Sequence, residues 1–313
     1  TGKMRAEQHA ERPLILEIRG NALDDGPGIR SVIFFKGCPL SCVWCHNPEG
    51  KRAVREIAFD AKACVGCDTC MKLCPEKALS RGNRYFIDRT RCSLCFLCAD
   101  ACPSEALSRV GREMEVGEIV DAVMKDKPFY DTSGGGVTLS GGEPALFMDF
   151  TAELLARLKA QGVHTLLETC GFFDMGNFRS ALLPHLDTVY FDIKLIDDDA
   201  HRRYTGASNG PILDNFKKLV DMTRNSSVTV LPRTPLIPGI TDTDGNLEGI
   251  ASFLADLGIR KAALMSYNPL WHAKADKIGV DAPFCQEKSM TVWMGSARLE
   301  RCGEPFIHAG IGL

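Results

Sequence analysis

The chain has 313 residues, 45% hydrophobic and 25% charged, and its 37 Lys+Arg against 40 Asp+Glu give a formal net charge of -3. Such a length buries one large core, or one large and one small. The near-neutral balance excludes a basic field that would hold nucleic acid, and no apolar run approaches the ~18 residues of a membrane span.

The polar start over 1–12 lacks the apolar core of a secretory signal. Residues 14–20 read as a strand, followed by the turn-rich Asp24-Asp25-Gly26-Pro27-Gly28. A second strand over 29–36 runs straight into Cys38, Cys42 and Cys45, spaced C-x3-C-x2-C. From 60 to 110 the character changes. Cys64, Cys67, Cys70 and Cys74 are repeated 28 residues later by Cys92, Cys95, Cys98 and Cys102, each run C-x2-C-x2-C-x3-C-P. A doubled unit with so few apolar residues would depend on metal to fold, and reads as an insertion (60–110) between chain parts 14–59 and 111–313.

Downstream, helices over 116–124, 148–161, 178–183, 209–223 and 247–257 alternate with strands over 136–139, 164–168, 189–193, 228–231 and 262–267. Repeated βα units predict an α/β fold with a parallel sheet, helices outside and functional residues at the carboxyl ends of strands. The count, about six units, predicts an incomplete (β/α)6 barrel rather than a closed eight.

The chain's 14 cysteines fall mostly at metal spacings in a long chain, which favours a reducing cytoplasm over a disulfide scaffold. Cys285 and Cys302 lack such spacing and read as non-ligating. The two four-cysteine runs resemble bacterial ferredoxin, in which each fourth cysteine ligates the other [4Fe-4S] cluster. The first group supplies only three ligands, which would leave one iron of a cubane open. A zinc knuckle completed by His46 is the alternative for that loop.

Glycines at 141 and 142 in Ser140-Gly141-Gly142-Glu143-Pro144 permit close backbone approach to a ligand, and the Glu143 carboxylate suits an ammonium group. Strand alternation puts Asp192 and Lys194 on one face. The Arg233 fork, expected just after its strand, suits a carboxylate or ribose oxygens. Asn268, in Ser266-Tyr267-Asn268-Pro269, ends the last strand, and His272 stands nearby as a substitute or a solvent-facing residue.

The C-x3-C-x2-C loop resembles that of the radical S-adenosylmethionine (SAM) enzymes. Asp25-Gly26-Pro27-Gly28-Ile29-Arg30, His46-Asn47-Pro48-Glu49, Asp192-Ile193-Lys194 and His201-x-x-Tyr204-Thr205-Gly206 narrow the resemblance to activating enzymes of glycyl radical enzymes, in the branch with a ferredoxin-like double [4Fe-4S] insertion. The resemblance implies three [4Fe-4S] clusters, the one on Cys38, Cys42 and Cys45 being site-differentiated and catalytic. SAM would lie against Gly141, Gly142, Glu143, Thr169, Asp192, Lys194, Arg233 and Asn268. A monovalent cation would sit between Asp192 and Thr169, with Glu168 as a further carboxylate. Asp25 would order the substrate peptide, a glycine loop of a partner glycyl radical enzyme of the dehydratase, decarboxylase or lyase type. Reduced flavodoxin or ferredoxin would supply electrons, through an insert that relays them or merely docks the donor. The resemblance also implies a chain that is monomeric when free. A radical enzyme acting on a small molecule and a non-enzymatic iron–sulfur carrier remain as alternatives.

Overall fold

The structure, a computed structural model, describes residues 12–281 and 287–313. The polar start over 1–11 and Cys285 lie outside the described residues. The chain opens with β1 (Leu14–Ala22) and β2 (Arg30–Lys36), an antiparallel pair. Next come β3 (Glu56–Phe59), α1 (Thr69–Leu73), α2 (Leu97–Asp100) and β4 (Leu107–Val110), and then β5 (Arg112–Glu113), which edges β1. Helices α3 (Val116–Val123) and α4 (Lys127–Ser133) lead to β6 (Gly136–Gly141), α5 (Met148–Ala160) and β7 (His164–Thr169). The short α6 (Met175–Asn177) widens into a π turn over Phe178–Leu182 before β8 (Thr188–Asp192). The chain ends with α7 (Asp198–Thr205), α8 (Gly210–Thr223), β9 (Thr229–Pro235), α9 (Asp244–Asp256), β10 (Ala263–Met265), α10 (Trp271–Ile278) and α11 (Ser296–His308).

The main sheet runs β10-β9-β8-β7-β6-β2-β1-β5. All pairings from β2 to β10 are parallel, and β1 and β5 are antiparallel at one edge. Six parallel strands in an open mixed sheet make a partial (β/α) barrel. No helix among the described residues is long and apolar enough to cross a membrane.

Period-two alternation divides the sheet chemically. Ile33, Phe35, Val137, Leu139, Leu167, Val189 and Phe191 enter the main hydrophobic core beneath the helices. The register places Arg30, Thr138, His164, Glu168, Tyr190, Asp192 and Arg233 on the opposite, inner face. An inner face this polar is built for chemistry rather than packing.

Two expected boundaries shift. Ser140 and Gly141 belong to β6, because pairing with Phe34 and Phe35 carries the strand past Leu139. Arg233 lies inside β9 instead of after it, paired with Asp192 and Ala263. Prolines at 232 and 235 suggest a stop, but partner strands on both sides override them.

Residues 56–110 stand apart from the main sheet. β3 and β4 pair antiparallel at the two ends of the segment. Ile57, Leu79, Phe86, Ile87, Phe96, Cys98 and Leu107 form a hydrophobic cluster of their own. The sequence repeat is also a backbone repeat: Gly66 and Leu94, Asp68 and Phe96, and Lys77 and Glu105 all have positive φ, each pair 28 residues apart. Left-handed backbone is costly for residues other than glycine, so its recurrence at matched positions marks a constrained loop shape.

Candidate active site

The three-cysteine loop leaves the carboxyl end of β2 and is pinned on both sides. Gly37 N–H donates to Gly50 O (2.7 Å) and Cys38 N–H to Lys51 O (3.0 Å). In the middle, Ser41 N–H reaches Thr205 O (2.7 Å) and Val43 N–H reaches Tyr204 O (3.0 Å), both at the end of α7. Burial pushes the Cys42 thiol up to about 12 and that of Cys45 up to about 11. The Cys170 thiol donates to Cys38 Sγ, which draws the Cys38 pKa down. Buried neutral thiols of this kind release their protons when metal takes them as thiolates.

Gly141 and Gly142 are required as glycine by the packing of the loop stem. Gly141 has φ +101, and a Cβ there would stand 2.5 Å from Phe35 N. At Gly142 it would stand 2.1 Å from Gly37 O. Gly142 N–H donates to Phe35 O (2.8 Å) and Glu143 N–H to Gly37 O (2.7 Å), so the segment forms the seat of the cysteine loop's stem. The Glu143 side chain points inward. It is fully buried and accepts from Cys170 N–H (2.7 Å), Thr169 Oγ1 (2.9 Å) and Ala145 N–H (3.1 Å).

On the inner face, Arg233 joins two carboxylates. Its Nη1 lies 2.5 Å from Glu168 Oε1, and its Nη2 and Nε lie 3.0 and 3.1 Å from Asp192 Oδ1. The guanidinium also lies over the Tyr190 ring, 5.0 Å from its centroid. Lys194 Nζ donates to the other Asp192 oxygen at 2.9 Å. Burial works against charge on Asp192, but Lys194 and Arg233 prevail and hold its pKa below the usual value. Lys194 is raised despite its own burial, by Asp192 and then by the Cys42 and Cys170 thiols near it. An ammonium therefore stands at the cysteine loop.

Asp192, Lys194, Arg233 and Glu168 are thus brought together. Thr169 is not with them: it belongs to the opposite face, where its hydroxyl is spent on Glu143. Arg233 supplies a positive charge beside Glu168 and Asp192. Asp25 is half-buried near this group, and burial, then Glu168, raises its pKa. Asn268 Nδ2 approaches His46 Nδ1 at 3.3 Å, beside the loop. His272, half-buried, has its Nε2 2.8 Å from Met290 O.

Arg30 escaped the sequence reading. Fully buried, it donates to Thr138 Oγ1 (2.6 Å), Val137 O (2.7 Å) and Pro27 O (3.2 Å), while Thr138 Oγ1 donates to Asp25 O (2.8 Å). Its place at the end of the Asp25–Ile29 turn was the available signal.

In the insert, one cavity is lined by Cys64, Cys67, Cys70 and Cys102, the last borrowed from the other run. The thiols acting on Cys98 are Cys92, Cys74 and Cys95. Positive φ at Gly66 and Asp68, and at Leu94 and Phe96, alternates with the intervening cysteine. Such alternation turns successive amides to one side and forms anion-binding concavities of the kind found at Fe–S sites. Among the described residues no three His, Cys, Asp or Glu side chains converge on a single metal ion. A zinc site needs its donors within ~2.0–2.3 Å of one point, so the knuckle completed by His46 finds no support. A cubane instead places a separate iron at each thiolate.

The radical SAM superfamily model matches residues 32–248. The trans-4-hydroxy-L-proline dehydratase activating enzyme of Clostridioides difficile is 42% identical over 270 residues, covering 85% of this chain and 88% of that protein. The isethionate sulfite-lyase activating enzyme of Desulfovibrio desulfuricans is 35% identical over 303 residues, covering 94% and 96%. The benzylsuccinate synthase activating enzyme of Thauera aromatica is 42% identical over 248 residues, covering 77% and 74%. A radical SAM methyltransferase structure from Sphaerobacter thermophilus covers 95% of this chain and 75% of its own, at 14% identity and TM-score 0.53, a likeness of fold alone.

Proposed function

The chain belongs to the radical SAM superfamily, among the activating enzymes of glycyl radical enzymes, and from that membership we propose how its residues divide the work. The activity is reductive cleavage of SAM to methionine and a 5′-deoxyadenosyl radical, which takes an α-hydrogen from a glycine of a partner enzyme. Membership sets aside the non-enzymatic carrier. Bound at Cys38, Cys42 and Cys45, a site-differentiated [4Fe-4S] cluster supplies one electron and an open iron position.

Around it the residues bind and orient. Lys194 and Arg233, both buried and charged, suit the carboxylate of the methionine part, and Asp192 holds the two cations in place. The Gly141–Glu143 backbone fixes the loop stem, and Asn268 with His46 borders the cofactor from the last strand. Asp25, held on its turn through Thr138 and Arg30, orders the glycine loop of the partner. The insert over 60–110 is assigned two further [4Fe-4S] clusters, on Cys64, Cys67, Cys70 and Cys102 and on Cys92, Cys95, Cys98 and Cys74. Reduced flavodoxin or ferredoxin would supply the electrons, with the insert either relaying them or docking the donor. A monovalent cation held by Asp192 would have to do without Thr169, whose hydroxyl donates to Glu143. The partner is a dehydratase, decarboxylase or lyase of the glycyl radical class.

The observation that carries this reading is a three-thiol loop ending a parallel strand beside a buried ammonium. The test is anaerobic rebuilding with iron and sulfide, reduction in the presence of SAM and a candidate partner, and electron paramagnetic resonance (EPR). A glycyl doublet on the partner is expected. Steady 5′-deoxyadenosine release coupled to a modified metabolite, with no doublet on any candidate, would favour the small-molecule enzyme instead.

A further inference from the structure

We propose that the C-terminal turn of α7, His201 to Gly206, sets the reducing power of the three-cysteine site by taking backbone donors away from its sulfurs. The proposal rests on the reading of that loop as an iron–sulfur site. The last four carbonyls of a helix lack partners within it. In α7 the Arg202 carbonyl is closed by Gly206 N–H (3.0 Å), whereas those of Tyr204 and Thr205 accept Val43 N–H and Ser41 N–H.

Ser41 and Val43 flank Cys42 in the chain, so theirs are the amides beside that sulfur. Three more amides are also spent on carbonyls: Gly37 on Gly50, Cys38 on Lys51, and Cys45 on Cys42. Pro39 has none to give. An N–H aimed at cluster sulfur stabilises the more negative, reduced state, so removing it lowers the potential. The carboxyl end of a helix is the negative end of its dipole, and α7 presents that end to the loop. Both effects make the electron harder to add and more forceful once present. The Lys194 ammonium near Cys42 acts in the opposite sense, and the turn offsets it.

The insert provides the contrast within one molecule. Ala78 N–H donates to Cys74 Sγ at 3.3 Å. Its counterpart 28 residues on, Ala106 N–H, donates to Cys102 Sγ together with the amides of Ser104 and Leu107. At the radical site the Leu40 and Asn47 amides serve the Cys38 and Cys45 sulfurs, and it is the amides flanking Cys42 that serve a helix end.

The turn is built to hold its place. His201 is buried, and its Nδ1 lies 2.6 Å from Ala207 O, which makes Nδ1 the protonated nitrogen. Thr205 Oγ1 donates to His201 O at 2.8 Å. Gly206 has φ +83, and a Cβ there would stand 3.6 Å from Ser41 Cβ, an ordinary contact. Gly206→Ala therefore strains the turn through its backbone and not by collision.

The test titrates the potentials of the reconstituted wild type and Gly206→Ala by EPR, taking as the radical-site signal the one that changes when SAM is added. The expected result is a higher midpoint for that signal in the variant, with SAM-insensitive signals unmoved. Proton double resonance after transfer to deuterated buffer is expected to show an added exchangeable proton near the SAM-sensitive cluster. An unshifted or lowered midpoint in folded variant protein overturns the proposal. Should Gly206→Ala not fold, Thr205→Val, which removes the tie to His201, carries the same expectation and the same refutation. Wild-type protein with no SAM-sensitive signal overturns the reading of the loop itself, and the proposal with it.

Discussion

Arg233 shows how a single side chain can hold a site together and be indispensable to its stability. Replacing it with Met leaves Glu168 and Asp192 buried with only Lys194 as counter-charge. The expected loss is about 3–5 kcal/mol, read by anaerobic urea denaturation of cluster-free protein, with part recovered when Glu168→Gln is added. A loss below ~1 kcal/mol would mean that the pairs behave like surface ones. Asp25 gives a prediction of opposite sign. Burial and Glu168 raise its native pKa above 3.8, so its contribution to stability is lost as pH rises through the native value. Asp25→Asn should thus melt higher than wild type near pH 7, the gap closing below about pH 4. Equal melting temperatures at both ends would refute this. The identities of Cys38, Cys42, Cys45, Asp192 and Lys194 were legible because spacing alone put them on one loop and one strand face. The true partners of Glu143 and the role of Arg30 were not, since both depend on which face and which stem the fold brings alongside.

Among the elements, the parallel strands were readable from their apolar runs, but α7 and α10 were missed for lack of a broad apolar stripe. The capping residues of α7 were nonetheless in plain view. Asp197 accepts Ala200 N–H at 2.7 Å, and Gly206 closes the helix with left-handed backbone. α10 links two parts of the molecule. Lys274 binds Asn47 (2.9 Å) and Glu49 (3.3 Å) after the cysteine loop, while Lys277 pairs with Asp60 (2.8 Å) at the start of the insert. Just beyond it, Gly279 has φ +65, and a Cβ there would stand 2.0 Å from Arg89 Nη1. Arg89 in turn donates to Ile57 O (3.2 Å) and Lys277 O (3.3 Å). Gly279→Ala should displace Arg89 and loosen the insert, with amide exchange in β3 and β4 faster by roughly tenfold, for strain of order 1–3 kcal/mol. SAM cleavage driven by a protein donor should slow, while cleavage driven by a small chemical reductant should not. Unchanged exchange would show that α10 does not anchor the insert.

At the scale of the molecule, the described residues hold one large apolar core around the main sheet and a second, small cluster within 57–107. Stability should divide in the same way. Stripping iron with a chelator under anaerobic conditions is expected to abolish exchange protection across 60–110 while β2, β6, β7 and β8 keep theirs. Uniform loss of protection, or none, would contradict a metal-dependent insert. The open sheet leaves β10 and β5 as outer edges. The two copies within 60–110 share a backbone shape but not a self-contained set of thiols. Gly66 and Leu94, Asp68 and Phe96, and Lys77 and Glu105 bend alike, as duplicated copies of one short peptide would. Yet the cavity of the first copy is completed by Cys102 of the second. Neither run alone supplies all four thiols of that cavity, so a chain cut between Cys74 and Cys92 would divide the set.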